Sequence, residues 1–508
     1  MARRCLLSGV LLALCAGLLL AAAFPHLGWS PLAFVALVPV FQMVEAGQGK
    51  RRVLLPCASL GLFFLLLLYW IPRVMVVYGG LSWITSAGIY LLLCVSLALF
   101  YVPAIVGFLF VRPIGALLAH LFFPFAWITC DLIRSFWMVN GFPWGSLGYT
   151  QVNQLWAQIA DIGGIYLVTF LVVAVNSAVA YAWLHRRRWG PAALSAVLLG
   201  GSATYGILRS RVVYSPPTLL VGIVQPVIEI NASSAYLREK YLAEMPARIG
   251  ELAAQGARLV VLPEAPSEFD YYRDSAFSAA LRGAARQYRV ALIFNNTTVQ
   301  SAGRYYNSMI FLRPDGSEAG RYDKIHLVPF GEYVPWERIL SFVQPLVQQV
   351  GGFSAGQGIV VADLGGVVVG GFICYEAIFP ELIRGFAAAG AEVLVNITDD
   401  GWYGRSAAAA QHFQIARMRS IETRRFLIRA ANTGISAVVD PAGRVKRQLD
   451  TFREGTLVAG IRPEQVLPFY VRRGNLFAQS CVWIFTAGLV VMRLWVGMRI
   501  PKPGRLQQ

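Results

Sequence analysis

Over the first two hundred residues, apolar positions follow one another in uncharged runs, without the strict alternation that a half-buried strand would show. Runs near 5–23, 30–46, 53–71, 82–110, 114–133, 163–184 and 190–209 each approach the length a helix needs to cross a bilayer, and an eighth lies near 475–493. Residues 82–110 exceed one crossing, so a tilt or a break near Pro103 is expected. From about Ser210 to Tyr470 the pattern changes to interspersed charge with short β-branched segments bounded by turn residues. The spacing predicts strands at Leu219–Val224, Arg258–Leu262, Val290–Phe294, Ser308–Leu312, Gly366–Ile373, Glu392–Ile397, Ile435–Val439 and Thr456–Ile461. Pro314–Asp315–Gly316 and Pro441–Ala442–Gly443 read as turns. Tyr236–Gln255, Ala276–Tyr288 and Gln411–Arg429 read as helices, and strands alternating with helices indicate an α/β layered domain. The chain therefore divides into a transmembrane domain of about seven helices (1–209), an α/β domain (210–470), and a last transmembrane helix with a tail (471–508).

Composition narrows the class. The 508 residues are 56% hydrophobic and 14% charged, against about 25% charged for an ordinary soluble domain, which excludes disorder and disfavours a purely soluble protein. The net charge of +17, from 44 Lys+Arg against 27 Asp+Glu, would alone admit nucleic-acid binding. Its placement removes that reading. Arg3–Arg4, Lys50–Arg52, Arg112, Arg186–Arg188, Arg493, Arg499, Lys502 and Arg505 all fall on one side of an eight-span arrangement. This is the positive-inside asymmetry, and it puts both termini in the cytoplasm and the α/β domain across the membrane. Arg3–Arg4, an apolar run and Ala21–Ala23 also fit a cleaved leader, but removing that span disturbs the charge pattern. The acids before residue 210 are Glu45, Asp131 and Asp161, all near span ends, where a transporter would hold ionisable groups deep in several spans. Trp70, Tyr78, Trp83, Trp137 and Trp144 are expected at the outer interface.

Of seven cysteines, Cys374 alone lies in the α/β block, without a disulfide partner there, so it is either buried and inert or reactive. Three segments bear on that choice. Arg258-Leu-Val-Val-Leu-Pro-Glu264 is an apolar strand ending in a carboxylate, and Val367-Val-Val-Gly-Gly-Phe-Ile-Cys374-Tyr375-Glu376 is one delivering a thiol. Between them lies Arg321-Tyr-Asp-Lys324-Ile-His-Leu-Val-Pro-Phe-Gly-Glu332. Strand ends meet at one edge of an α/β layer. A thiol needs a base to attack, which Glu264 can supply. Lys324 can hold its charge where an oxyanion develops, and Glu332 can orient Lys324 or Glu264. His326 reads as structural beside them. No Cys/His metal spacing is present, and neither metal nor cofactor is expected.

Glu264, Lys324 and Cys374, in this order and context, resemble the Glu–Lys–Cys triad of the nitrilase (carbon–nitrogen hydrolase) superfamily. The Lys-Ile-His-Leu-Val-Pro-Phe-Gly-Glu segment beside a multi-span half resembles, more specifically, the apolipoprotein N-acyltransferase family. Further matches are Gly141–Gln151, Tyr306-Asn307-Ser308, Asp400-Gly-Trp402-Tyr-Gly404, Gln411–Arg419, Asn432-Thr-Gly434 and Arg473-Gly-Asn475. The resemblance implies a polytopic α-helical membrane domain carrying a nitrilase-like αββα sandwich, on the periplasmic face of a bacterial inner membrane. It implies that Cys374 takes an acyl chain as a thioester from a glycerophospholipid, usually phosphatidylethanolamine. The chain then passes to the α-amine of the S-diacylglyceryl cysteine of apolipoproteins. By the same motifs Cys374 is nucleophile, Glu264 general base and acid, Lys324 oxyanion stabiliser and Glu332 its supporting carboxylate. Tyr375, Glu376, Trp402, Asn307, Tyr236 and Trp144 are substrate-binding candidates, with Leu346–Gly356 as a candidate lid. Two positions depart from the family pattern: Tyr236 stands where a Trp is usual, and Asp399-Asp400 where Asn-Asp is common. A membrane-anchored amidase or nitrilase acting on a small amide is the alternative.

Overall fold

The computed structural model describes residues 2–137, 140–185, 188–210, 216–265, 269–300, 303–333 and 352–499. The apolar runs fold into helices α1 (Ala2–Ala22), α2 (Val38–Ala46), α3 (Arg51–Leu67), α4 (Ile71–Val77), α5 (Trp83–Leu99), α6 (Val102–Val111), α7 (Ala116–Trp137), α8 (Ala160–Leu184) and α9 (Gly190–Ser210). Among the described residues, five helices are long and apolar enough to cross a membrane: Trp83–Val111, Ala116–Trp137, Leu155–Leu184, Gly190–Ser210 and Leu476–Leu494. The pair α3 and α4 passes the same test only when taken together, across a 49° bend that fits a broken span or a re-entrant loop, and Leu7–Ala22 and Ser30–Ala46 are shorter apolar helices. The expected break near Pro103 falls between α5 and α6, with Pro103 in the first turn of α6, where its missing N–H costs no hydrogen bond. Part of the basic clusters that oriented the spans, Arg186–Arg187, Lys502 and Arg505, lies outside the described residues.

One helix is interrupted by sequence. Within α8, Gly163 and Gly164 leave helical geometry, Gly164 at φ +65°. A Cβ on Gly164 would stand 2.7 Å from the Tyr470 ring, so both the backbone and the packing require glycine there.

The α/β region holds two six-stranded sheets. The first has the order β12-β1-β2-β3-β4-β5, with β1 (Leu219–Gln225), β2 (Leu259–Val261), β3 (Ala291–Val299), β4 (Tyr305–Leu312), β5 (Glu318–Asp323) and β12 (Gly455–Ile461). The second has the order β11-β10-β9-β8-β7-β6, with β6 (Val361–Asp363), β7 (Val368–Ile373), β8 (Val393–Thr398), β9 (Phe426–Ala431), β10 (Ala437–Val439) and β11 (Val445–Gln448). Alternation along the strands sorts the core. Val221, Ile223, Leu259, Val261, Ile293, Met309 and Phe311 face the second sheet, whereas Val260, Leu262, Leu292, Phe294, Ile310 and Leu312 face a helical layer. That layer is α10 (Ser234–Glu239), α11 (Met245–Ala254) and α12 (Ser275–Tyr288). Gly371 on β7 admits the Met309 sulfur from the opposite sheet, which a Cβ would exclude. Helices α13 (Pro380–Ala388) and α14 (Ala408–Thr423) cover the outer face of the second sheet and complete an αββα sandwich. After β12 the chain passes through α15 (Phe469–Arg473) into the last apolar helix, α16 (Leu476–Arg499).

The helix expected over Gln411–Arg429 is corrected. It ends at Thr423, Arg424 turns the chain at φ +54°, and Phe426–Ala431 is a central strand. A strand buried on both faces is a continuous apolar run, which periodicity cannot distinguish from a buried helix. Strands β5, β6 and β11 were not expected either, since they are short or polar.

The outer helix of the second sheet rests on the membrane helices rather than on solvent. Arg424 pairs with Asp161 at 2.9 Å, Arg419 donates to the Tyr149 hydroxyl at 2.8 Å, and Trp144 Nε1 donates to Gln411 at 2.9 Å. Glu422 accepts the Ile165 N–H at 2.8 Å, the first amide after the break in α8. One apolar core runs continuously from the helices into the space between the sheets. Trp70 and Trp144, expected at the lipid interface, are buried in this junction 5.4 Å apart, while Trp83 and Trp137 are exposed.

Candidate active site

The parallel strands β2, β7 and β8 end on one edge, and the candidate residues gather there. Glu264 lies just past β2, and its bridge with Ala431 at the end of β9 ties the two sheets together. Lys324 follows β5, its N–H donating to the Asn307 carbonyl at 2.9 Å. Cys374 follows β7 at φ +50°, a left-handed backbone that a side chain adopts only under constraint.

The constraint is visible. Glu376, fully buried, accepts the N–H of Ile373 at 2.8 Å, of Ile325 at 2.7 Å and of His326 at 3.1 Å, and the Tyr322 hydroxyl at 2.7 Å. Burial pushes its carboxyl up to about 7, against these donors and Lys324. Glu376 thus braces both the Cys374 turn and the Lys324 segment. His326 shares the brace through its backbone while its ring stacks on Phe379, 4.0 Å between centroids. On the other side, His412 Nε2 lies 3.1 Å from the Cys374 carbonyl and Nδ1 lies 2.9 Å from Asp400. Arg429 reaches Asp400 at 2.6 Å and also bonds Asn396. Burial lowers the imidazole pKa of His412, while Asp400 and the Cys374 carbonyl work the other way.

At the centre, Lys324 is 1% exposed, its Nζ 2.9 Å from Glu332 Oε1 and 3.7 Å from Glu264 Oε1. Asn307 Nδ2 donates to both carboxylates, at 2.8 Å to Glu264 and 3.0 Å to Glu332, and its Oδ1 accepts from Asn295 at 2.8 Å. Glu332 is further held by the Val328 N–H at 2.7 Å, and Glu264 by the Asp399 N–H at 3.0 Å. Burial opposes the Lys324 charge, but Glu332, Glu264 and Cys374 hold its pKa above the ordinary value. Burial, with Glu264 adding to it, raises the Cys374 thiol well above its usual range, and Lys324 works the other way. The resting thiol is therefore protonated, with a base and a cation at hand. The arrangement can form a thiolate during attack and neutralise charge on a carbonyl oxygen.

Other candidates fall into two groups. Tyr375 is buried and its hydroxyl reaches the Gly141 carbonyl at 3.5 Å, which joins the site to a membrane-domain loop. Trp144 stacks on His412 at 5.7 Å, and Trp402 meets Tyr78 edge-on at 4.7 Å. Tyr236 stands apart on α10, 42% exposed, its ring over the Lys240 ammonium. It shares no hydrogen bond or ion pair with Glu264, Lys324 or Cys374 among the described residues. The candidate lid Leu346–Gly356 lies outside the described residues as far as Gly351. Asp399, the departure noted above, accepts from Asn432 at 3.0 Å and Gly401 at 2.9 Å, and burial raises its carboxyl to about 7. Sequence reasoning missed His412, Arg429 and Asn295. The motif around His412 was visible, but nothing in it pointed the ring at Cys374.

A carbon-nitrogen hydrolase family model matches residues 220–469, and the model of the apolipoprotein N-acyltransferase N-terminal domain matches residues 16–178. The chain is 36% identical to the apolipoprotein N-acyltransferase of Geobacter metallireducens over 494 residues, 93% of each chain. It is 32% identical to that of Methylococcus capsulatus over 471 residues, 90% of this chain and 91% of the relative. Among solved structures, a nitrilase-superfamily amidase from Nesterenkonia aligns at 20% identity and TM-score 0.41, covering 53% of this chain and 99% of the amidase.

Proposed function

The chain belongs to the apolipoprotein N-acyltransferase family, and from that premise we propose a two-step acyl transfer in which Cys374, Glu264 and Lys324 do the chemistry. The protein is a membrane acyltransferase of lipoprotein maturation. In the first step Glu264 takes the Cys374 proton and the thiolate attacks the sn-1 ester carbonyl of a glycerophospholipid, phosphatidylethanolamine in this reading. The C–S bond forms, the ester C–O bond breaks, and Glu264 returns the proton to the departing lysophospholipid. In the second step the α-amine of a diacylglyceryl cysteine attacks the thioester. A C–N bond forms, the C–S bond breaks, and Glu264 takes the amine proton and returns it to the departing Cys374 sulfur. Lys324 and the Tyr375 N–H stabilise the oxyanion in both steps, and Glu332 keeps Lys324 charged and in place.

The observation that carries this reading is the buried Lys324 ammonium, 2.9 Å from Glu332 and 3.7 Å from Glu264, with Asn307 bridging the two carboxylates. The junction with the membrane helices supports a lipid donor, since Tyr375 and Trp144 connect the site to the loop at Gly141. Residues 1–209 and 471–508 act as the anchor and 210–470 as the catalytic domain. That domain sits on the periplasmic side of the inner membrane, with both termini cytoplasmic.

The test is to incubate the purified protein with labelled phospholipid and look for an acyl adduct on Cys374 by mass spectrometry, with Cys374→Ala as control. Adduct formation followed by discharge to a diacylglyceryl-cysteine peptide is expected. Absence of the adduct rejects the lipid donor. An adduct discharged only by water favours the small-amide hydrolase reading for the second step.

A further inference from the structure

Glu45, His120 and His185 are far apart in sequence, so no spacing motif announces them, yet the helix bundle brings them together. Glu45 lies in the last turn of α2, His120 in the second turn of α7, and His185 just past the end of α8. These are the ends of α7 and α8 opposite to those that meet the α/β layers. The 25-residue α8 separates them by roughly 35 Å at 1.5 Å per residue, so the cluster takes no part in the acyl transfer. His120 Nε2 is 2.8 Å and His185 Nε2 3.2 Å from the same oxygen, Glu45 Oε1, and the three atoms lie within 4.8 Å of one another.

The hydrogen bonds around His120 say which nitrogen is free to ligate. Ser177 Oγ lies 2.7 Å from the His120 carbonyl and donates its single hydrogen there. Its 3.1 Å contact with His120 Nδ1 therefore requires Nδ1–H as the donor. A neutral His120 then carries its lone pair on Nε2, aimed at a carboxylate oxygen 2.8 Å away. Two acceptors at that distance repel unless a cation lies between them. A hydrogen-bonded Nδ1–H behind a ligating Nε2 is also the usual support of a metal-bound imidazole. His185 brings a second imidazole to the same oxygen, and Arg112, 3.0 Å from Oε2, leaves Oε1 as a single ligand atom.

We propose that Glu45, His120 and His185 form a binding site for a divalent transition-metal ion of the zinc class, joining the ends of α2, α7 and α8. Bonds of about 2.0–2.1 Å in tetrahedral geometry set ligand atoms roughly 3.3 Å apart. The 2.8 and 3.2 Å separations reach that spacing with shifts of a few tenths of an ångström. His120 is buried while His185 is partly open, so a fourth position faces outward for water or a small anion. The competing occupant is a proton, which would make His120 an imidazolium paired with Glu45.

The test uses the full chain carrying Cys374→Ala, which removes the active-site thiol as a ligand. After chelator treatment, Zn²⁺ and Co²⁺ are added and excess is removed by gel filtration. A single retained zinc equivalent per chain and the intense visible bands of four-coordinate Co²⁺ are expected. His185→Asn and Glu45→Gln should abolish both signals, and Ser177→Ala should weaken affinity about 10–100-fold by freeing Nδ1. His185 is only partly buried, so its variant keeps the test open if Glu45→Gln fails to fold. Substoichiometric metal, or retention unchanged in His185→Asn, overturns the proposal and assigns the cluster to a proton-linked ion pair.

Discussion

Replacing Lys324 with Met separates what this residue does for the fold from what it does for chemistry. Its ammonium lies between Glu332 at 2.9 Å and Glu264 at 3.7 Å, in a site where it is 1% exposed. Met preserves the volume but leaves two carboxylates facing each other, bridged only by the Asn307 amide. Breaking a buried ion pair by removing one partner costs about 3–5 kcal/mol, and loss of an oxyanion donor costs about 10²–10³ in rate. Lys324→Met/Glu332→Gln removes one charge of each sign. Thermal unfolding in detergent should show a large destabilisation for the single variant and most of it recovered in the double. Acylation of Cys374, followed by mass spectrometry, should stay at least 10²-fold slow in both. Wild-type acylation by the stable double variant would refute the oxyanion role. A single variant as stable as the parent would refute the charge-balance reasoning.

Asp399→Asn should change how stability depends on pH. Burial raises the Asp399 carboxyl from its ordinary 3.8 to about 7 in the folded chain. Its contribution is thus fully present below about 3.8 and is lost as pH rises through about 7. Relative to the parent, Asp399→Asn should gain in melting temperature across that window, and an equal pH slope for both proteins would contradict the assignment. Trp144→Ala should cost about 3–5 kcal/mol as a buried aromatic truncation. Because Trp144 stacks on His412, it should also slow Cys374 acylation more than a control truncation at an equally buried site does. His412→Ala should reduce the acylation rate while leaving discharge of a preformed acyl-enzyme to the amine less affected. Its contact is with the carbonyl that fixes the strained Cys374 backbone. Equal losses in both half-reactions would remove that role.

The apolar runs all fold as helix, though 82–110 divides into α5 and α6 and 30–46 holds only the nine-residue α2, so among the described residues five or six helices, not eight, have the length a bilayer demands. The strands ending in Glu264 and Cys374 were visible for a similar local reason, as apolar segments stopped by a polar residue at a sheet edge. Phe426–Ala431 is a strand and not the end of a helix, a difference that is local too, since burial on both faces erases the period that separates strand from helix. The interfacial reading of Trp70 and Trp144 failed because an exposed belt and a buried domain junction ask for the same residue type.

The sequence by itself determined which runs become apolar helices, which mixed-charge block becomes two sheets, and which motifs make Glu264, Lys324 and Cys374 the candidates. These follow from hydrophobic period, charge placement and motif order, all of which are properties of neighbouring residues. Only the tertiary structure decided that Asn307 bridges Glu264 and Glu332, that Glu376 braces the site, and that His412 holds the Cys374 carbonyl. It alone placed α14 on the membrane helices and brought Glu45, His120 and His185 together. The physical reason is that hydrogen-bond satisfaction of a buried polar group is set by which distant elements pack against it. A lone Glu, Asn or His in the sequence does not reveal its partner.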